Sequence, residues 1–158
     1  MNNIKDFKNF NSQDIFTYII HDDIQLIKNY INANYNLNIK SDYGYTPLMY
    51  AVLKNSIEIV KLLLNAGVDV DEQGKGDYTP LMYASRYNYA EIVKLLLNAG
   101  ADIDKQNDLG NTALILASIN SKIKIAKLLL NSGADIDKQS NNGNTALIWS
   151  AFRNNKKL

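Results

Sequence analysis

Pairs of aspartates are the residues of this 158-residue sequence that look most able to do chemistry. Each pair could supply carboxylates to a metal ion or to general acid–base catalysis. The pairs are Asp69/Asp71, Asp102/Asp104 and Asp135/Asp137. However, they recur every 33 residues, whereas a catalytic site is needed once. We therefore interpret them as residues that shape a repeated loop and keep it hydrated.

The other groups with catalytic potential are few. His21 is the single histidine, with Asp22 and Asp23 beside it, and no pattern brings a nucleophile and a base toward it. The chain has no cysteine, which excludes disulfides, thiol catalysis and thiolate metal sites. The Gly-Lys-Gly stretch at 74–76 lacks the spacing of a phosphate-binding loop and is interpreted as a turn. The sequence therefore predicts a protein that is not an enzyme and holds no cofactor or metal.

The charge balance narrows the range of partners. Lys and Arg number 17 against 16 Asp and Glu, which gives no general footprint for nucleic acid or for an anionic membrane. No run approaches the roughly 18 apolar residues of a membrane-spanning helix, and the N-terminus has no apolar core of a signal peptide. We expect a soluble, cytoplasmic protein. Secretion and delivery as an effector stay open as alternatives, because a leader removed beforehand would not be visible in the sequence.

A strict internal repeat explains the organisation of the chain. The hexapeptide TPLMYA stands at 46–51 and again at 79–84. Four threonines share a step of 33 residues, namely Thr46, Thr79, Thr112 and Thr145, and so do Gly67, Gly100 and Gly133. A period held this strictly indicates a repeat architecture.

Each unit predicts two short helices. Thr46 suits a helix N-cap and Pro47 the first helical position, so one helix starts there and runs to about Asn55. A second helix ends at Gly67, which suits a left-handed residue after the last turn. Its apolar stripe consists of Ile59, Val60, Leu63 and Leu64. Two such helices cannot bury their stripes alone, so the units must stack into a solenoid.

The segment DYGYTPLMYAVLKNSIEIVKLLLNAGVDVD resembles an ankyrin repeat, with its D-x-x-G-x-T-P-L-H-x-A opening and its L-L-x-x-G-A-D ending. The resemblance implies an all-α ankyrin-repeat solenoid of stacked helix-turn-helix units with β-hairpin-like connecting loops. A single domain over 1–158 would then contain a capping repeat at about 8–40, repeats at about 41–73, 74–106 and 107–139, and a partial repeat at 140–158.

Several positions depart from the family pattern. The motif histidine is replaced by Met49, Met82, Ile115 and Ile148, which indicates apolar packing in place of a hydrogen bond. Asp77 stands where the other units have a loop glycine, a place where Asp tolerates positive φ better than most residues. In the first unit Asn34 replaces the glycine after the second helix, and Asn29 replaces a leucine, as expected of a cap that faces water.

The resemblance also implies where a partner would bind. In ankyrin repeats the first helices and the loop tips line a concave groove, and here that face varies between units and is rich in Tyr, Trp and Arg, the residue types of interface hot spots. The candidate partner-binding residues are Tyr43, Tyr45, Leu53, Lys54, Tyr78, Tyr83, Arg86, Tyr87, Asn111, Ile119, Asn120, Trp149, Phe152 and Arg153. Packing between neighbouring helices is the alternative, above all for Tyr83 and Trp149, which lie nearer the core.

The second helices carry a ladder of lysines, Lys61, Lys94 and Lys127, on a face that we expect to be convex and hydrated. Glu58 and Glu91 lie three residues before the first two and could pair with them.

The sequence thus predicts a non-enzymatic scaffold that binds another protein through the groove. Two alternatives stay open: a specific inhibitor or regulator of an enzyme or toxin, and the docking part of a longer multidomain effector. We expect a monomer with neither nucleic acid nor membrane as partner. Because no second helix follows Ile148 to cover it, the C-terminal end is expected to fray, to self-associate or to continue in a longer natural protein.

Overall fold

The computed structural model describes residues 11–155 and shows a stack of α-helices. Within that range the helices are α1 (Asp14–Ile20), α2 (Ile24–Asn32), α3 (Pro47–Leu53), α4 (Ile57–Asn65), α5 (Pro80–Tyr87), α6 (Ala90–Asn98), α7 (Ala113–Ile119), α8 (Ile123–Asn131) and α9 (Ala146–Asn155). No β-strand occurs between residues 11 and 155. The predicted all-α repeat solenoid is confirmed.

The helices follow the period of the sequence. The second helices α2, α4, α6 and α8 begin at Ile24, Ile57, Ala90 and Ile123, which are 33 residues apart. The predicted capping repeat begins within residues 1–10, and the predicted partial repeat ends within residues 156–158. Both stretches lie outside the described residues. The unit boundaries themselves stay a prediction.

Helices α3, α5 and α7 begin at threonine caps. Thr46, Thr79 and Thr112 each accept the backbone N–H three residues later through the side-chain oxygen, at 3.2, 3.3 and 3.2 Å. The sulfurs of Met49 and Met82 in turn lie 3.5 Å from the backbone N–H of Thr46 and Thr79. The interpretation of these methionines as purely apolar was incomplete, because their sulfur closes the cap as a weak acceptor.

Left-handed residues follow the ends of the first helices. Helix α3 stops at Leu53, within two residues of the predicted end at about Asn55, and Asn55 has a φ of 57°. The equivalent residues of the other units, Asp22, Asn88 and Ser121, share this conformation. Asn34 and Asp77 also have positive φ, at 62° and 57°, as their places in the repeat predict.

The core is a continuous layer between the two rows of helices. Equivalent residues Ile59, Ile92 and Ile125 are fully buried, as are Leu63, Leu96 and Leu129. Helices α1, α3, α5, α7 and α9 pack in sequence order, and so do α2, α4, α6 and α8. Each unit therefore packs on its neighbours, as a solenoid requires.

The connecting loops are hairpin-like turns. In one of them Gly44 donates its N–H to Ser41 and Ser41 donates to Tyr45, at 2.8 and 2.9 Å. The aspartate pairs bind backbone N–H groups: Asp69 accepts from Asp71 within its loop at 2.9 Å, and Asp71 accepts from Asp102 of the next unit at 3.0 Å. These bonds confirm that the aspartates shape the repeated loop.

Candidate functional site

Aromatic rings join neighbouring units along the face formed by the first helices. Tyr45 lies 5.8 Å from Tyr50 and 5.9 Å from Tyr83, measured between ring centroids, and Tyr78 stacks on Tyr83 at 5.0 Å. Phe16 of α1 contacts Tyr50 at 5.1 Å. We call Tyr45, Tyr50, Tyr78 and Tyr83 the tyrosine row. Contacts of this kind hold the rings in place. A partner can therefore bind to the rings with little loss of conformational entropy.

Two of the predicted contact residues lie in the interior. Tyr83 and Asn111 are each only 7% exposed, so they offer almost no surface to a partner. Burial, with Tyr45 and Tyr78 nearby, raises the pKa of Tyr83 well above its ordinary value, and this phenol stays neutral at physiological pH. We correct both assignments: Tyr83 supports the rings of Tyr45 and Tyr78, and Asn111 anchors its loop by donating its N–H to Asn107 at 2.8 Å.

Lys54 is engaged inside the molecule. Its ammonium lies 2.8 Å from the Asp22 carboxylate and 3.1 Å from the backbone oxygen of Ile19, and it also contacts the backbone oxygen of Ile20. The hydrogen bond from Lys54 to the Asp22 carboxylate is the main cause that lowers the pKa of Asp22. Lys54 therefore ties α3 to the end of α1, and we remove it from the expected contact set.

Arg86 and Tyr87 form the most exposed part of the face on α5. One guanidinium nitrogen of Arg86 donates to the Tyr78 hydroxyl at 3.3 Å, and its central carbon lies 5.9 Å from the centre of the Tyr87 ring. Tyr87 stacks on Tyr89 at 6.0 Å. Sequence reasoning missed Tyr89, because the left-handed Asn88 returns it alongside Tyr87.

The guanidinium of Arg86 has no acidic partner in the described part of the chain. Ion pairs there join Lys40 to Glu72 and Lys54 to Asp22. Moreover, helices α3, α5, α7 and α9 contain no Asp or Glu at all. Arg86 is therefore a fixed cation with donors left over, which is the arrangement that a carboxylate of another molecule can pair with.

The remaining candidates lie around this centre. Tyr43 is exposed at a loop tip, and Tyr45, Leu53, Tyr78 and Ile119 are partly exposed. Asn120 is also partly exposed, but its amide donates to the backbone oxygen of Leu116 at 2.7 Å.

Helix α9 carries the last three candidates. Phe152 is exposed and meets the Trp149 ring edge-on at 6.2 Å, while the indole N–H of Trp149 has no acceptor among the described residues. Arg153 lines a cleft beside Lys122, which precedes α8, and Lys127 of α8. The last of the predicted contact residues therefore lies at a cleft on the end of the stack.

The lysine ladder lies on the opposite row of helices. Lys61, Lys94 and Lys127 are all exposed, in keeping with the expected hydrated face. Neither Glu58 nor Glu91 takes part in the two ion pairs found between residues 11 and 155. These lysines are therefore held by no carboxylate, and they provide matched controls for changes on the tyrosine side.

Comparison with known proteins identifies the repeat. The model of a family described as "Ankyrin repeats (3 copies)" matches residues 15–107 and 99–158. No curated protein matches the chain. Among residues 11–155 no helix has the length and apolar character needed to cross a membrane, and no three potential metal-binding side chains of the His, Cys, Asp or Glu type come together there.

Proposed function

Because the chain belongs to the ankyrin repeat family, we propose that it is a non-enzymatic module that binds another protein through the face of α3, α5, α7 and α9. Ankyrin repeats are generally protein–protein interaction modules and typically have no enzymatic activity. We also propose that it is a monomer in the cytoplasm. The near balance of 17 basic and 16 acidic residues gives no footprint for nucleic acid, which favours a protein as its partner, and the lack of cysteine suits a reducing compartment.

One observation carries this proposal. Arg86 is exposed, is oriented by the Tyr78 hydroxyl and the Tyr87 ring, and has no carboxylate partner among the described residues. Arg and Tyr that are positioned in advance lose little entropy on binding and dominate the energy of many interfaces. The partner that fits is a protein segment with an acidic side chain for Arg86 and an apolar or aromatic side chain for the neighbouring rings.

The proposed contact set consists of candidate residues whose side chains are exposed or partly exposed. Its centre is Arg86 and Tyr87, with Tyr43, Tyr45 and Tyr78 on one side. Residues at the margin are Leu53, Ile119, Asn120, Trp149 and Phe152. The tyrosines and the arginine supply affinity, whereas the apolar residues at the margin exclude water from the contact.

The test begins with affinity capture of a partner and ends with calorimetry on purified proteins. An Arg86→Ala/Tyr87→Ala double variant should lose at least about tenfold in affinity, because a hot spot of this kind is worth about 2 kcal/mol or more. Its thermal unfolding should hardly move, since both side chains are exposed. The matched control is Lys61→Ala/Lys94→Ala on α4 and α6, which should bind like the unmodified protein.

The opposite pattern of affinities would overturn the proposal. If the Arg86→Ala/Tyr87→Ala protein keeps full affinity while the lysine variant loses it, the binding surface lies on the second helices. Assay of the captured partner separates a scaffold from an inhibitor: a loss of the partner's catalytic activity on binding would make this module an inhibitor, and unchanged activity would make it a scaffold or the docking part of a longer protein.

A further inference from the structure

The end of the stack at α8 and α9 differs from the junctions inside it. Val60 of α4 and Val93 of α6 are 0% exposed, because the next unit covers them. Ala126 is the equivalent residue of α8 and remains partly exposed. Likewise Ala117 of α7 is fully buried, whereas its equivalent Ser150 of α9 is partly exposed. Among residues 11–155, no helix covers here the surface that another helix covers at each internal junction.

This surface is a cleft of about 250 Å³ between α8 and α9. Its apolar part comes from Ile123, Ala126 and Leu130, with Ile123 as much as 69% exposed. Lys122, Lys127 and Arg153 also line the cleft, and none of the lining residues is acidic. The cleft thus combines an apolar strip with three cations.

The internal junctions show what shape such a cleft accepts. At each of them the neighbouring element is a second helix of nine residues, and in α4 and α6 three apolar side chains are fully buried. Helices α4 and α6 pack directly on one another, as do α6 and α8. The element that fits the cleft in the same way is therefore a helix with an apolar stripe.

Charge decides between the possible sources of that helix. A second copy docked face to face would bring Lys122, Lys127 and Arg153 against the same three cations, which is unfavourable. An amphipathic helix with acidic residues beside its apolar stripe pairs with them instead. We propose that the cleft between α8 and α9 binds an acidic amphipathic helix of another protein. This site is separate from Arg86 and the tyrosine row.

The probe is a labelled synthetic peptide of about 18 residues, long enough for an isolated helix. It carries Leu at i, i+3, i+4 and i+7 with Glu on the flanks, and a comparison peptide has Lys in place of every Glu. Fluorescence anisotropy should show that the Glu peptide binds at least tenfold more tightly than the Lys peptide. The emission of Trp149, the only tryptophan in the chain, provides a second readout from α9.

Two matched pairs of variants test the site. Ile123→Glu should weaken binding of the Glu peptide at least tenfold, whereas Ile20→Glu, at a 51% exposed isoleucine of α1, should not. Lys127→Glu should weaken the Glu peptide and strengthen the Lys peptide, whereas Lys61→Glu, at the same repeat position in α4, should change neither. All four residues are exposed, so each variant should keep the melting temperature of the unmodified protein.

Binding of the Glu peptide that disappears in Ile123→Glu and reverses in Lys127→Glu supports the proposal. The absence of binding by either peptide would overturn it, as would equal binding of both. Sedimentation of the protein without peptide tests whether a second copy of the chain occupies the cleft. Self-association that Ile123→Glu abolishes would assign the cleft to a second copy and also overturn the proposal. Arg86→Ala/Tyr87→Ala should bind the Glu peptide normally, which keeps this test apart from that of the proposed function.

Discussion

Leu96 and Lys94 of α6 are two residues apart but lie in opposite environments. Leu96 is fully buried, with neighbouring units on both sides, whereas Lys94 is exposed. Leu96→Ala should lower the free energy of unfolding by about 2–5 kcal/mol, the range for buried leucines that leave a cavity. Lys94→Ala should stay within about 0.5 kcal/mol of the unmodified protein. Urea titration measures both, and equal losses would contradict the burial described here.

Gly110 and Gly143 occupy the same position in successive loops and allow a second comparison. Both have positive φ, 71° and 76°, so alanine at either should cost about 1–2 kcal/mol from the left-handed backbone alone. A Cβ on Gly110 would also come within 2.6 Å of the backbone nitrogen of Asn141, whereas nothing lies within 4 Å of one on Gly143.

Gly110→Ala should therefore destabilise the protein by about 1–3 kcal/mol more than Gly143→Ala, because the next loop must shift to make room. The two variants are compared by urea unfolding under identical conditions. If their stabilities are the same, the close approach of the two loops is not retained in solution.

The capping helices are attached to the rest of the stack by a polar contact. Lys54 of α3 reaches Asp22, which follows α1, and its hydrogen bond lowers the pKa of that carboxyl below the ordinary value of 3.8. Because folding favours the charged carboxylate, the contact stabilises the protein fully above about pH 4. The contribution is lost as the pH falls through the lowered pKa of the folded state.

Asp22→Asn should accordingly destabilise the protein at pH 7 and pH 5, and the difference from the unmodified protein should shrink as the pH falls below 3.8 and vanish once the pH is below the lowered pKa of Asp22. Urea titrations at each pH measure the difference in the free energy of unfolding. Asp42→Asn is the control, because Asp42 is an exposed loop aspartate outside the two ion pairs of the described residues. A difference that persists unchanged at low pH would mean that the carboxylate charge is not the cause.

At the scale of the elements, the 33-residue period predicted where most helices lie, because Thr caps, Pro at the first position and apolar stripes are local signals. The end of α3 at Leu53 lies within two residues of the predicted one, and the left-handed Asn55 follows it. The role of Tyr83 was left open between packing and binding, and the role of Lys54 could not be predicted. They depend on Tyr45 and Asp22, residues of other units whose side-chain positions the repeat does not determine.

In the whole molecule, each unit packs on its neighbours, so the two ends decide how stability is distributed. At the first end, Asn29 replaces the leucine of position 62, and the cap is held by Lys54. At the other end, Leu147, Ile148 and Phe152 of α9 remain exposed. Helix α9 packs against α7 and has no second helix beside it within the described residues.

Hydrogen exchange should show this asymmetry. Amides of α9 should exchange through local opening, faster than those of α6, which are protected by units on both sides and should need near-global unfolding. Exchange is measured by mass spectrometry on dilute protein, with residues 146–155 compared with 90–98. Addition of the acidic helical peptide should slow exchange in α9, because α9 borders the cleft and cannot open freely while the peptide is bound. Amides of α6 should slow as well, because near-global unfolding also releases the peptide. If both helices were equally protected in a dilute monomer without the peptide, the open end would not weaken α9.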